Sequence, residues 1–141
     1  MTIVLNICIY IFSFINFIKI GDVNNPPSEN GYGKVTYDYS ISETELTNEC
    51  YCFFLNSVAK TYDPYNLYNP IMGEYFWGGI VRKTDSNGNF VYYVKPGFEK
   101  YPAIGITWNS AIRFINWLNY NWENIKNKKD ITYYLSFASE F

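Results

Sequence analysis

The chain carries three thiols, Cys8, Cys50 and Cys52, and no histidine. Without an imidazole neither a Ser-His-Asp nor a Cys-His nucleophile can be assembled, and the commonest transition-metal ligand and near-neutral proton shuttle is missing. Cys50 and Cys52 stand two apart in a segment patterned as helix, so they point to different faces and cannot readily bridge one another or clamp a metal. That spacing favours packing over a redox role, and no disulfide framework is implied. The run Asp85-Ser86-Asn87-Gly88-Asn89 has the oxygen ligands of a calcium loop. Such a loop places its glycine sixth and a bidentate acid last. Here Gly88 is fourth and Pro96 occupies the place of the acid, which makes the run a turn. A third candidate is aromatic: Tyr62, Tyr65, Tyr68, Tyr75, Phe76 and Trp77 could form a platform for peptide or sugar, or could fill the core of a loop.

These groups need a scaffold, and 141 residues are about one domain's worth, or a piece of one. With 48% hydrophobic, 21% aromatic and 17% charged residues the chain has ample apolar surface to offset its ordering entropy. The wealth of Asn, Ile, Lys, Tyr and Phe fits an AT-rich coding sequence as readily as selection for a binding surface. A net charge of -2 without a basic block leaves no footprint for a phosphate backbone, which argues against nucleic acid as a partner.

At the start, 1–13 read as an apolar extension or degenerate export signal, since no basic residue precedes the run and no cleavage site follows it. The run is short for a membrane span, and Asn6, Ser13 and Asn16 interrupt it. Phe14–Ile20 can instead be a buried first strand. Gly21–Gly33 is turn chemistry throughout. Val35–Ile41 alternates as a half-buried strand with Val35, Tyr37, Tyr39 and Ile41 on one face. Thr47 is placed to cap a helix from Asn48 to about Ala59, with Glu49, Asn56 and Lys60 facing away from the core. Tyr62–Met72 is an irregular but ordered loop of the length that often carries function. Gly78–Lys83 and Phe90–Val94 flank the Asn-Gly pair as a hairpin. Thr107 caps a second helix, Trp108 to about Asn119, whose wider apolar stripe predicts deeper burial than the first. Asn119–Lys129 is unpatterned, and Ile131–Phe141 could be one more strand.

In this order the pieces resemble the N-terminal half of the sulfatase-modifying factor family, the formylglycine-generating enzymes. The stretches are FIKIGDVNN, GYGKVTYDYSISETELTN, the FLNSVA helix end, YNLYNPIMG, GGIVR and ITWNSAIRFINWLN preceded by Pro102, together covering roughly Phe17 to Trp117. Each is weak alone; their order and spacing make the resemblance specific. It implies an α+β fold: a partial formylglycine-generating-enzyme-like (C-type-lectin-like) domain, with two amphipathic helices packed on short antiparallel strands and long loops. It would occupy 14–119, leaving 120–141 as an unpatterned tail or truncated remainder. The position of Arg113 then implies a structural role through hydrogen bonds, because a guanidinium has no accessible neutral form for acid-base work.

The family reaction oxidises a sulfatase cysteine to formylglycine with oxygen and copper. The copper-binding cysteines belong to the C-terminal half, with a tryptophan-rich segment and an R-L-P-T-E-x-E-W motif. No such motif follows Trp117, and Cys8, Cys50 and Cys52 lie in the wrong region to be those ligands. The resemblance therefore implies a truncated or separately encoded member, inactive alone, with no catalytic residue, no metal ligand and no cofactor in this chain, although full-length members hold copper and possibly calcium. Its partner would be a sulfatase-type polypeptide or the missing half. Two alternatives are a non-catalytic binding module built on the Tyr62–Trp77 aromatics and a half-domain completed by another chain.

Overall fold

A computed structural model describes residues 15–126. The signal-like residues 1–13, Cys8 and the strand expected over Ile131–Phe141 lie outside the described residues.

Helix α1 (Asn48–Val58) is the centre of the fold. Thr47 is extended, and its hydroxyl oxygen accepts the Cys50 N–H at 3.3 Å, the expected cap. The next two orphan donors find distant partners: Asn48 N–H donates to the Tyr101 carbonyl at 2.9 Å and Glu49 N–H to the Glu99 carbonyl at 3.1 Å. The connector from Pro96 to Pro102 therefore completes the first turn of α1, and Ala103 N–H to Leu46 O continues the pairing.

The hairpin has strands β3 (Ile80–Thr84) and β4 (Phe90–Val94), with Ile80 opposite Val94 and Thr84 opposite Phe90. Its turn is a three-residue loop: Asp85 N–H donates to Asn89 O and only Gly88, at φ 82°, adopts positive φ. This is a type I turn closed by a bulge glycine, in place of the two-residue Asn-Gly turn that needs positive φ at both positions. Gly79 brings the hairpin against α1, and Gly78 brings it against the loop segment Ile71–Met72. A Cβ on Gly78 would stand 2.5 Å from the Met72 carbonyl oxygen, and one on Gly79 would overlap the buried Asn48 amide. The preceding loop contains a single helical turn, α2 (Ile71–Glu74).

Helix α3 (Trp108–Lys126) starts where Thr107 accepts the Ser110 N–H at 3.1 Å. It continues past the expected end at Asn119 because no Pro or Gly interrupts the chain as far as Lys126. Phe114 meets Phe54 edge-on at 5.4 Å between ring centroids, and Trp117 lies 5.2 Å from Phe54. The expected order of burial is reversed. Trp108 is 61% exposed and Ile112 also faces solvent, whereas Cys50, Tyr51, Phe54 and Leu55 of α1 are fully enclosed. α1 has the hairpin on one side and α3 on the other, while α3 uses one stripe only.

A second antiparallel pair, β1 (Phe17–Ile20) and β2 (Tyr39–Ser42), sets Phe17 opposite Ser42 and Ile20 opposite Tyr39. The first strand exists but is not buried: Phe17, Ile18 and Lys19 are exposed. The second starts at Tyr39 instead of Val35, because Val35 is already paired with the preceding loop. Its N–H donates to Asn25 Oδ1 at 3.3 Å and its carbonyl accepts from Asn24 N–H at 2.8 Å. The described residues thus form a small α+β domain with three helices and two small antiparallel sheets. Among them no helix is long and apolar enough to cross a membrane.

Candidate functional site

The Tyr62–Met72 loop is held by a carboxylate more than by its rings. Asp63 accepts the Leu67 N–H at 2.9 Å and the Tyr68 N–H at 3.0 Å, one on each oxygen, and Asn66 turns the chain at φ 50°. Leu67 and Tyr68 are thereby pressed into the core, where the Leu67 carbonyl accepts the Tyr51 hydroxyl at 2.8 Å.

The six loop aromatics separate into different environments. Tyr68 is buried 5.6 Å from the Tyr92 ring, with the Arg82 guanidinium stacked between Tyr68 and Phe90 at 4.7 and 4.6 Å. Tyr65 lies at the surface beneath Arg113, whose guanidinium carbon is 3.2 Å from the ring centroid. Stacking, rather than hydrogen bonding, is thus how Arg113 ties α3 to the loop. Tyr62 is exposed and makes no ring contact among the described residues. Tyr75, Phe76 and Trp77 do come together: Trp77 lies 5.1 Å from Tyr75 and 4.1 Å from Phe76. All three are exposed, Phe76 to 82%. Lys95 borders them, donating to the Tyr75 carbonyl at 3.3 Å. Three of the six named residues therefore form one surface cluster, and Tyr62, Tyr65 and Tyr68 do not join it.

The two described thiols are sealed. Cys50 is 1% exposed and burial pushes its pKa up to about 12, aided by the Glu49 charge; burial likewise raises Cys52 to about 11. Both are neutral packing groups at physiological pH, and redox chemistry requires the thiolate. Enclosed in the core and two residues apart on one helix, they do not converge on a copper site. Asp85 does not present a free calcium ligand either: its carboxylate accepts the Asn87 N–H at 2.8 Å, the Asn89 N–H at 2.9 Å and the Asn89 amide at 3.3 Å. Those bonds, the Asn89 N–H first, hold its pKa below the usual carboxylate range. Among the described residues no group of three or more His, Cys, Asp or Glu is placed to hold a metal ion.

No family model, curated protein or solved structure matches this chain.

Two features escape the sequence reading. Asn56, expected to face solvent, turns its amide onto β4: Nδ2 donates to the Tyr92 carbonyl at 2.9 Å and to the Cys52 carbonyl at 3.1 Å, while Oδ1 accepts the Tyr92 N–H at 3.0 Å. The available signal was its place one turn after Cys52 and just before Ala59, a row that packs inward. A groove of about 240 Å³ also lies between the first sheet and its loop, lined by Ile20, Asp22, Asn25, Val35, Tyr37 and Tyr39 among others. Asp22 and Asn24 adopt positive φ at its edge, at 66° and 67°.

Proposed function

We propose that this chain is the N-terminal half of a formylglycine-generating-enzyme-like, C-type-lectin-like domain. It serves as scaffold and does not oxidise a sulfatase cysteine by itself. The observation that carries this reading is where the residues of the resembling stretches lie. Thr47 of ELTN caps α1, Asn56 of FLN pairs with β4, Gly78 and Gly79 of GGI allow the hairpin to touch α1 and α2, and Arg113 of AIRF grips Tyr65. These are joints of the fold, and none is a reacting group. The chain's described thiols are buried and protonated, so the oxidation would need thiolates from another segment or chain.

The test is formylglycine formation on a sulfatase-type peptide by the isolated, copper-supplemented chain. No turnover is expected, and turnover would overturn the reading. If a second polypeptide completes the domain, the isolated chain should bind a hydrophobic dye through surfaces such as Trp108 and Ile112 on α3. A monomeric chain that unfolds cooperatively and stays silent to the dye removes the need for such a partner.

A second reading, a non-catalytic binding module, is favoured by the exposed contact of Tyr75, Phe76 and Trp77. Peptide or sugar would be held on these rings. Signal on a glycan or peptide array that disappears with Trp77→Ala would support it, and a blank array would discard it.

A further inference from the structure

We propose that Asn87, at the tip of the β3–β4 hairpin, is a site of spontaneous modification, ageing to aspartate and isoaspartate through ring closure on the Gly88 nitrogen. Among the described residues only Asn30 and Asn87 are followed by glycine, so only there can the next backbone nitrogen approach an amide carbon without a Cβ in the way. The two differ in what holds them. Asn30 Oδ1 accepts the Tyr32 N–H at 3.1 Å, and the Gly31 N–H, which must be lost for attack, donates to Ser28 O at 2.8 Å. The Asn87 side chain makes no hydrogen bond among the described residues, and the Gly88 N–H reaches Asp85 O at a longer 3.1 Å. Both residues are exposed at the tip, open to water and to base.

In the first step a solvent base removes the Gly88 amide proton, the Gly88 nitrogen bonds to Asn87 Cγ, and the Cγ–Nδ2 bond breaks. The nitrogen leaves as ammonia, taking up a proton from solvent. Water then opens the cyclic imide. Attack at Cγ leaves aspartate, and attack at the backbone carbonyl leaves isoaspartate, with the side-chain carbon now in the main chain. No oxidant or reductant is involved. Either product puts a second carboxylate beside Asp85, which already gathers the N–H groups of Asn87 and Asn89. The isoaspartyl form also lengthens the turn between β3 and β4. An enzyme that consumes this product would transfer a methyl group from a sulfonium donor to the isoaspartyl carboxylate.

The experiment incubates the full chain at mildly alkaline pH, natively and in urea, and maps peptides spanning Asn30 and Asn87. Amide-to-acid conversion is read by mass and isoaspartate by enzymatic methyl acceptance. In the native chain conversion at Asn87 should lead that at Asn30 severalfold, and in urea the two should match. Equal rates in the native chain, a lead for Asn30, or an intact Asn87 overturns the proposal. Asn87→Gln should abolish methyl acceptance in its own peptide, and acceptance that persists there overturns it as well.

Discussion

Replacing Asn56 with alanine strips the outer edge of β4 of the group that completes it. Tyr92 turns its N–H and carbonyl away from β3, and the Asn56 amide meets both, as a neighbouring strand would. Phe90 N–H does the same with the Lys60 carbonyl at 2.7 Å, so the end of α1 and Lys60, two residues beyond it, take the place of a third strand. In Asn56→Ala two backbone groups of Tyr92 lose their partners where water reaches them only in part. Each unsatisfied group costs about 1–3 kcal/mol, and alanine's better helix propensity returns about 0.7 kcal/mol at most. A net loss of roughly 1–5 kcal/mol follows, a large share of the 5–15 kcal/mol that holds a typical domain. Urea unfolding should show a lower midpoint with an unchanged slope, and the Tyr92 amide should exchange its hydrogen faster. Asn56→Asp sharpens the test. A carboxylate can still accept the Tyr92 N–H but would face the carbonyls of Tyr92 and Cys52, so its pKa rises in the folded state. The variant should therefore be weaker than alanine at neutral pH and regain stability as pH falls through that raised value. A loss under about 0.5 kcal/mol in Asn56→Ala, with the Tyr92 amide still protected, would refute the edge-pairing account.

Gly79→Ala should lower stability by roughly 2–4 kcal/mol, since its Cβ displaces an Asn48 amide that donates to the Phe98 carbonyl at 3.0 Å. Gly21→Ala, with open space around the added carbon, is the control and should stay within about 0.5 kcal/mol in thermal melts. Cys50 and Cys52 should resist alkylation in the native chain and react once it unfolds. Because burial raises both thiols above their ordinary 9.0, to about 12 and about 11, their contribution to stability is complete below 9.0. It falls as pH climbs through that window, with Tyr51 and Tyr92 adding to the decline between 10.0 and about 12. The urea midpoint measured against alkaline pH checks the sign. Phe76→Ala should change stability by less than about 0.5 kcal/mol, and a larger drop in the melt would mean that the ring is packed and not displayed.

The parts legible in the sequence are those set by local chemistry. Thr47 and Thr107 announce their helices because a hydroxyl before an apolar stripe serves the orphan N–H groups of whatever helix follows. The turn between β3 and β4 was visible in Asn87-Gly88, although the bulge geometry was not. What escaped depends on distant partners. Val35 looks like strand, but Asn24 and Asn25 claim its backbone first, and that competition has no local signature. Asn56 is polar and so reads as outward-facing, whereas a half-buried strand edge needs its amide. The loop aromatics look alike in sequence. Asp63 turns Tyr68 inward by gathering two N–H groups, and Tyr65 is left outside for Arg113.

The connector that finishes the first turn of α1 has a kinetic consequence. The carbonyls of Glu99 and Tyr101 lie about fifty residues downstream of the N–H groups they accept. On a ribosome α1 emerges long before they do, so its leading turn waits with open donors until the hairpin and the connector have followed. Sequence-distant closure of this kind slows folding, because chain entropy is lost before the contacts that repay it can form. The last strand of the hairpin and the start of α1 should consequently gain protection together and late, as a single cooperative unit. A nascent chain halted before Glu99 would hold a helix whose Asn48 and Glu49 N–H groups still lack their partners.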